Sequence, residues 1–246
     1  MGSLLGLGGG VFIVPMLTLI FGLPMQTAIA TSLVCVIATS SGAANLYVKS
    51  GLANIRLGMV LELGTTCGAI VGGLLAGVFS HQLLSFIFSL LLLYAIISML
   101  TKKEKTECEN TDSSKTGVPE YKIENYPLGI IGSFFAGNVS GLLGVGGGVI
   151  KVPLMYLGMK IPLKVATATS NFMIGVTAAA SCFIYYFRGD LNLIVSAITV
   201  SGVFLGAMVG CRTLPYIKTY YLKRVFVLVL LYLSVKMMFV GLGIKP

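Results

Sequence analysis

Apolar residues dominate this chain in long segments that are separated by short polar stretches. The segments run approximately over residues 3–21, 27–47, 57–79, 83–101, 127–157, 165–186, 193–211 and 225–243. Most are near the roughly 20 residues that an α-helix needs to span the hydrocarbon core of a bilayer. The pattern therefore predicts an all-α polytopic membrane protein.

A single long hydrophilic stretch, Lys102–Asn125, interrupts this pattern and is rich in Lys, Glu, Thr and Ser. Such a composition is typical of a linker. We therefore expect a first transmembrane repeat over 1–101, a polar linker over 102–125 and a second transmembrane repeat over 126–246.

The two halves repeat one another at a constant offset. Pro15 is matched by Pro153, 138 positions later, and the same offset matches the Ala-Thr-Ser run at 30–32 with that at 168–170. Four apolar segments fall in each half. Internal duplication of this kind is common in secondary transporters.

A glycine-rich stretch that ends in proline occurs once in each half. Its copies are Leu4–Pro15 and Leu142–Pro153, and each contains three consecutive glycines. Glycine holds a helix poorly, and a break inside a membrane is tolerated only where protein or a polar cavity satisfies the backbone. The glycine stretches are therefore the predicted site.

The same stretches decide how often the chain crosses the membrane. Residues 127–157 would form a helix of ~46 Å at 1.5 Å per residue, which favours a re-entrant hairpin. With Lys151 and Lys236 set aside, re-entrant segments place 13 basic residues on one side and 2 on the other, against 9 and 6 for eight crossings. The positive-inside rule favours the first arrangement, which makes the repeats inverted. The number of membrane crossings, six to eight, stays open.

Composition excludes several other classes of protein. The chain is 56% hydrophobic and 10% charged, with a mean hydropathy of +0.96. Its net charge of +9 indicates either basic cytoplasmic loops or an affinity for anions. Five cysteines without CxxC spacing and one histidine support neither a zinc site nor a disulfide framework. We expect no enzyme, no cofactor, no metal and no nucleic-acid partner.

The glycines could build an anion site from backbone groups alone. N–H groups at a helix N-terminus, aided by the helix dipole, bind anions, whereas close helix packing is the alternative role for glycine. Nearby hydroxyl and amide groups could either donate to the anion or bond their own helices. The candidate residues of this kind are Gly8, Gly9, Gly10, Thr31, Ser32, Gly146, Gly147, Gly148, Thr169, Ser170 and Asn171.

Two ionisable residues stand out within the apolar segments. Lys151 occupies the position where the first half has Ile13, and it is either a functional group or a side chain that reaches the interface. Glu62 stands where the second half has Val200. It could carry a coupling proton, or it could be an end-of-helix carboxylate near Arg56.

Glycines at four-residue spacing predict close helix packing in both halves. They are Gly64, Gly68 and Gly72 in the first half and Gly202, Gly206 and Gly210 in the second.

Two copies of a G-x-GGG-V-x-x-V-P stretch, each followed by Ala-Thr-Ser, resemble the TauE/SafE family of sulfite and organosulfonate exporters. The resemblance implies a secondary transporter in the plasma membrane that moves small sulfur-containing anions outward. It implies that the glycines and the Thr-Ser pairs named above line the pathway. An anion channel or facilitator with a re-entrant pore is the alternative, and a homo-oligomer is compatible with either. The first glycine stretch follows only Met1–Ser3, so its leading half-helix is expected to be absent.

Overall fold

The computed structural model describes residues 9–49, 51, 53–101, 125–213 and 219–243, and the chain is helical through nearly all of them. No strand occurs in these ranges. The helices are α1 Gly10–Leu19, α2 Met25–Lys49, α3 Ile55–Val78, α4 His81–Thr101, α5 Tyr126–Leu143, α6 Gly148–Pro153 with a π-helical turn Leu154–Gly158, α7 Leu163–Phe187, α8 Leu193–Thr213 and α9 Thr219–Gly241. The linker 102–124 lies outside the described residues.

The all-α membrane fold predicted from hydropathy is confirmed. Five described helices (α2, α3, α4, α5 and α7) contain windows long and apolar enough to cross a membrane. Large apolar side chains lie exposed on the bundle, including Val78 and Phe187, each 82% exposed, and Leu63 at 73%. An apolar surface on this scale needs a lipid or protein partner. The chain is therefore a multi-pass membrane protein.

The second glycine stretch turns the chain back on itself. α5 ends at Leu143 with Gly144 as its C-cap, and Gly144, Gly146 and Gly147 all have the left-handed φ values that favour glycine. The returning segment then descends along α5, because Asn125 Nδ2 donates to the Gly158 carbonyl at 3.3 Å. The start of α5 and the end of the returning segment thus lie at the same end of the helix bundle, which is the geometry that a re-entrant hairpin requires.

Glycines of α3 allow its backbone to lie directly against that of α5. A Cβ at Gly68 would overlap the Phe134 carbonyl oxygen. Gly137 and Gly141 on α5 make the reverse contacts, against the Thr65 and Ala69 carbonyls. The close packing predicted for the first glycine series is confirmed. Its pairs are Gly64 with Ile130, Gly68 with Phe134 and Gly72 with Asn138, so α3 and α5 run parallel.

The equivalent prediction for α8 is wrong at two of its three glycines. Within the described residues, no atom lies within 4 Å of a Cβ built at Gly202 or Gly206. The surroundings of Gly210 lie outside the described residues. The described residues place no helix against these two glycines, so their spacing alone does not predict close packing.

Contacts at the helix ends give the relative directions of α2 and α7. The Met25 N–H donates to His81 Nδ1 at 3.1 Å, so α2 begins beside the end of α3. The Asn54 N–H donates to Thr169 Oγ1 at 3.0 Å, so α7 begins beside the start of α3. Because each helix starts at a different end of α3, α2 and α7 run in opposite directions.

One contact between the halves is reciprocal. A Cβ at Gly58 would lie 3.3 Å from Thr169 Cγ2. The Ser196 hydroxyl donates to Thr31 Oγ1 at 3.4 Å. The 138-residue offset matches Gly58 with Ser196 and Thr31 with Thr169. A two-fold relation between the halves would give this pair of contacts, and the inverted repeat stays a prediction.

We predict that Gly68→Ala lowers the thermal midpoint of the purified protein in detergent, whereas Gly206→Ala does not. The new Cβ at Gly68 meets backbone that cannot move without parting α3 from α5, and overpacking costs about 1–3 kcal/mol. Gly206 is the repeat-related control, with nothing within 4 Å. Equal midpoints for Gly68→Ala and wild type would contradict the close contact, and an equal loss at both sites would show that α8 is packed too.

Cysteine labelling in a background without the native cysteines tests the hairpin in the membrane. We expect Lys160→Cys to react from the same face as Arg56→Cys, and Gln82→Cys to react from the opposite face, because α5–α6 returns to the start of α3. The measurement uses a membrane-impermeant maleimide on vesicles of known orientation. Labelling of residue 160 together with residue 82 would instead indicate eight crossings.

Candidate functional site

The two glycine stretches meet inside the bundle. α1 begins at Gly10, after Gly9 with a left-handed φ of 81°. A Cβ at Gly10 would overlap the Gly144 carbonyl oxygen and would lie 3.0 Å from Val145 Cα. The structure thus brings together the two stretches that the sequence singled out. Gly8 lies outside the described residues.

Three of the predicted hydroxyl groups hold helices together. The Ser32 hydroxyl donates to the Gly144 carbonyl at 2.8 Å and is fully buried. Thr169 accepts from the Asn54 backbone, and Thr31 accepts from Ser196. These three residues therefore form hydrogen bonds between helices, and an additional role in anion binding stays a prediction.

Ser170 and Asn171 lie beside them on α7 and are both fully buried. The Ser170 hydroxyl has no hydrogen-bond partner among the described residues. Asn171 Nδ2 donates to the Thr167 carbonyl at 3.2 Å, within its own helix. Ser170 corresponds to Ser32 in the repeat, whose partner Gly144 corresponds to Gly6, a residue outside the described ranges.

The second stretch carries a buried ion pair. Lys151 is 1% exposed, and its Nζ lies 3.5 Å from Glu62 Oε2. The same ammonium donates to Thr177 Oγ1 at 2.8 Å. Thr177 in turn donates to Glu62 Oε1 at 2.6 Å, and Thr65 donates to Oε2 at 2.8 Å. We call Glu62, Thr65, Lys151 and Thr177 the charged cluster.

For both Lys151 and Glu62 the structure excludes one of the two roles that the sequence left open. Lys151 does not reach the interface, because the hairpin directs it inward toward α3 and α7. Glu62 is not an end-of-helix carboxylate near Arg56. It lies in the interior of α3, which begins at Ile55, and it is 8% exposed, whereas Arg56 is exposed. A charge buried in a bundle of this kind is stabilised chiefly by a partner of opposite sign.

The charged cluster adjoins the glycine turn. A Cβ at Gly147 would lie 3.4 Å from Lys151 Cε and 3.2 Å from Ser140 Cβ. Ser140 is fully buried, and its hydroxyl has no hydrogen-bond partner in the described part of the chain. The glycine turn therefore has an ammonium group and a spare hydroxyl donor next to it.

Sequence reasoning missed Thr177 and Tyr185. Thr177 follows Thr169 by eight positions and so lies on a similar face of α7, which was a usable signal. The Tyr185 hydroxyl donates to the Gly141 carbonyl at 2.9 Å and completes the end of α5. Its repetition at Tyr47 was a second signal. Among the described residues, no group of three or more His, Cys, Asp or Glu could hold a metal ion.

Fold and site together define a multi-pass helical membrane protein with a polar, charge-bearing centre built around paired glycine breaks. The family model for the Sulfite exporter TauE/SafE matches residues 1–237, and the chain belongs to this family.

Relatives from several bacteria carry names that agree with this assignment. The Probable membrane transporter protein YunE of Bacillus subtilis is 26% identical over 98% of this chain and 93% of its own length. The Probable membrane transporter protein YdhB of the same species is 24% identical over 85% and 82%. A Probable membrane transporter protein of Xylella fastidiosa is 26% identical over 95% and 88%. No solved structure matches. The chain is thus a membrane transporter of the plasma membrane.

We predict that the charged cluster is coupled energetically. Glu62→Val and Lys151→Ile should each destabilise the protein by about 3–5 kcal/mol, since each leaves one buried charge without its partner. The double variant, which introduces the apolar residues found at the equivalent positions of the other half, should recover most of that loss. Thermal midpoints in detergent give the comparison. Additive losses in the double variant would show that the two side chains do not interact.

Proposed function

We propose that this protein is a secondary transporter of small anions, and that it exports sulfite, organosulfonates or related sulfur-containing anions across the plasma membrane. The observation that carries this proposal is the contact between the two glycine stretches beside a buried lysine. Neither a cofactor nor an enzymatic step is part of it.

The chemistry of the site suits a small oxyanion. The first N–H groups of a helix have no partner within that helix, and glycine lets a ligand approach them closely. Lys151 adds an ammonium group, and the hydroxyl groups add donors from which an oxyanion accepts. The proposed binding residues are Gly8, Gly9, Gly10, Thr31, Ser32, Gly146, Gly147, Gly148, Lys151, Thr169, Ser170 and Asn171.

The duplicated build supports alternating access. In this proposal the repeats 1–101 and 126–246 present their glycine stretches from opposite faces, joined by the linker 102–125. Rocking of one repeat against the other would expose the shared site to each side in turn. The antiparallel course of α2 and α7 and the reciprocal contact at Thr31 and Thr169 support this arrangement.

Gly147→Leu should abolish anion transport while the protein still inserts and purifies as a single species. The larger side chain would fill the space between Ser140, Lys151 and the Ala136 carbonyl, which lies 3.1 Å from a Cβ at this position. Gly189→Leu is the matched control, because Gly189 also has a left-handed φ, of 79°, but has nothing within 4 Å. Sulfite efflux from loaded proteoliposomes is the measurement.

Normal efflux through Gly147→Leu would count against a pathway at this turn. The same vesicles separate a carrier from a channel. A carrier shows flux that saturates with substrate and accelerates when unlabelled anion is present on the far side. Flux that rises without saturation and lacks this counterflow would favour the channel alternative.

A further inference from the structure

The charged cluster is placed to link anion movement to proton movement. We propose that Glu62 takes up one proton whenever a transported anion replaces it beside Lys151. This inference rests on the proposed anion transport and adds the coupling ion and the residue that carries it.

Glu62 and Lys151 neutralise one another when no anion is bound. An ionised Glu62 and a protonated Lys151 sum to zero, so the cluster has no spare positive charge for a substrate. An anion entering beside Lys151 would add a second negative charge to a buried site with one cation. Two close carboxylate-like charges strongly disfavour each other, and protonation of one relieves the conflict.

Lys151 is the charged side chain that faces Glu62 among the described residues. Lys151 approaches from α6, and the neutral hydroxyls of Thr177, Thr65 and Thr66 supply the other polar contacts. α5 contains no Asp, Glu, Lys, Arg or His, and its titratable Tyr126 is exposed at the helix start. The charged residues of α2 and α7 lie at their ends. Among the described residues, the charge state at Glu62 therefore depends mainly on Lys151 and on whatever binds there.

Lys151 also borders the glycine turn, where the proposal places the anion. Ser140 and Gly147 border Lys151 on the side of the glycine turn, and the buried Ser140 hydroxyl has no partner among the described residues. An anion at this point would gain the ammonium and a further donor together. Ser140 and Gly147 are thus neighbours of Lys151 that Glu62 does not contact in the structure, and the proposal places the anion beside them.

The charge pair is not repeated in the sequence. The offset matches Lys151 with Ile13 and Glu62 with Val200, so both members of the pair are confined to one of two equivalent positions. A pair needed only to hold the scaffold would be expected at both positions. A coupling group is needed once per transported anion.

The exchange balances in atoms and charge. In the empty state the Glu62 carboxylate pairs with the Lys151 ammonium. When the anion binds, a proton from the same aqueous side forms an O–H bond on Glu62, and the ammonium pairs with the anion. Release on the other side reverses both events. One proton moves with each anion, and transport of a monovalent anion is electroneutral.

Direction follows the combined gradients in this scheme. Transport runs outward when the cytoplasmic product of anion and proton concentrations exceeds the external product. Export therefore needs a cytoplasmic anion excess that is larger than any opposing proton gradient.

Proteoliposomes of the full chain test the coupling. Exchange is measured with radiolabelled methanesulfonate and with sulfite, with protein-free vesicles subtracted. Accumulation is measured with methanesulfonate, which stays ionised at neutral pH, because sulfite takes up protons near neutral pH and crosses lipid as neutral sulfur dioxide. With the interior one pH unit more alkaline, wild type should accumulate the probe about tenfold, as one-to-one coupling requires. Glu62→Gln should still exchange the anion but should not accumulate it, so that its concentration becomes equal on the two sides of the membrane. Glu62→Val/Lys151→Ile should lose exchange, because the ammonium is gone.

The outcomes separate the two proposals. Wild-type exchange without pH-driven accumulation overturns the coupling and leaves anion transport standing. Tenfold accumulation by Glu62→Gln overturns the role of Glu62, and exchange in the same vesicles shows that this variant is folded. Absence of exchange of both probes by wild type overturns the proposed function itself, and the coupling with it.

Discussion

A helix that ends inside a membrane leaves carbonyl groups that only other protein groups can satisfy. The end of α5 meets this constraint with side chains from two other helices. Tyr185 of α7 donates to the Gly141 carbonyl, and Ser32 of α2 donates to the Gly144 carbonyl. The glycine turn is therefore anchored by residues from both halves of the chain. The helix break in the second half is thus stabilised by a hydrogen bond from the first half.

The same constraint explains the packing of α3. Glycines on α3 and α5 let the two backbones touch, and this contact places Glu62 and Thr65 opposite the returning α6. With a larger residue at Gly68, α3 would stand farther from α5. The charged cluster thus depends on small residues that carry no chemistry of their own.

The main features that the sequence could predict were those that depend only on residues close together in the chain. Apolar length predicts the helices, and three consecutive glycines predict the turn at Gly144–Gly148 without any tertiary information. The contact between Glu62 and Lys151 spans 89 positions and has no counterpart in the other half. Neither periodicity nor the repeat could therefore pair them. The glycines of α8 fail as a signal for a different reason. Their four-residue spacing is visible in the sequence, but whether another helix packs against them depends on the tertiary structure.

Symmetry and asymmetry have separate roles in this chain. Among the repeated features, the glycine stretches meet at Gly10 and Gly144, and the hydroxyls of Thr31, Ser32 and Thr169 hold helix to helix. The features that break the repeat, Lys151 and Glu62, bring charge. In the proposed inverted arrangement, two equivalent halves would present a nearly equivalent environment to both faces of the membrane, which suits alternating access. The charge pair, which the equivalent positions Ile13 and Val200 lack, then makes the two halves chemically unequal. Duplication can supply the scaffold, whereas the charged centre needs substitutions in only one copy.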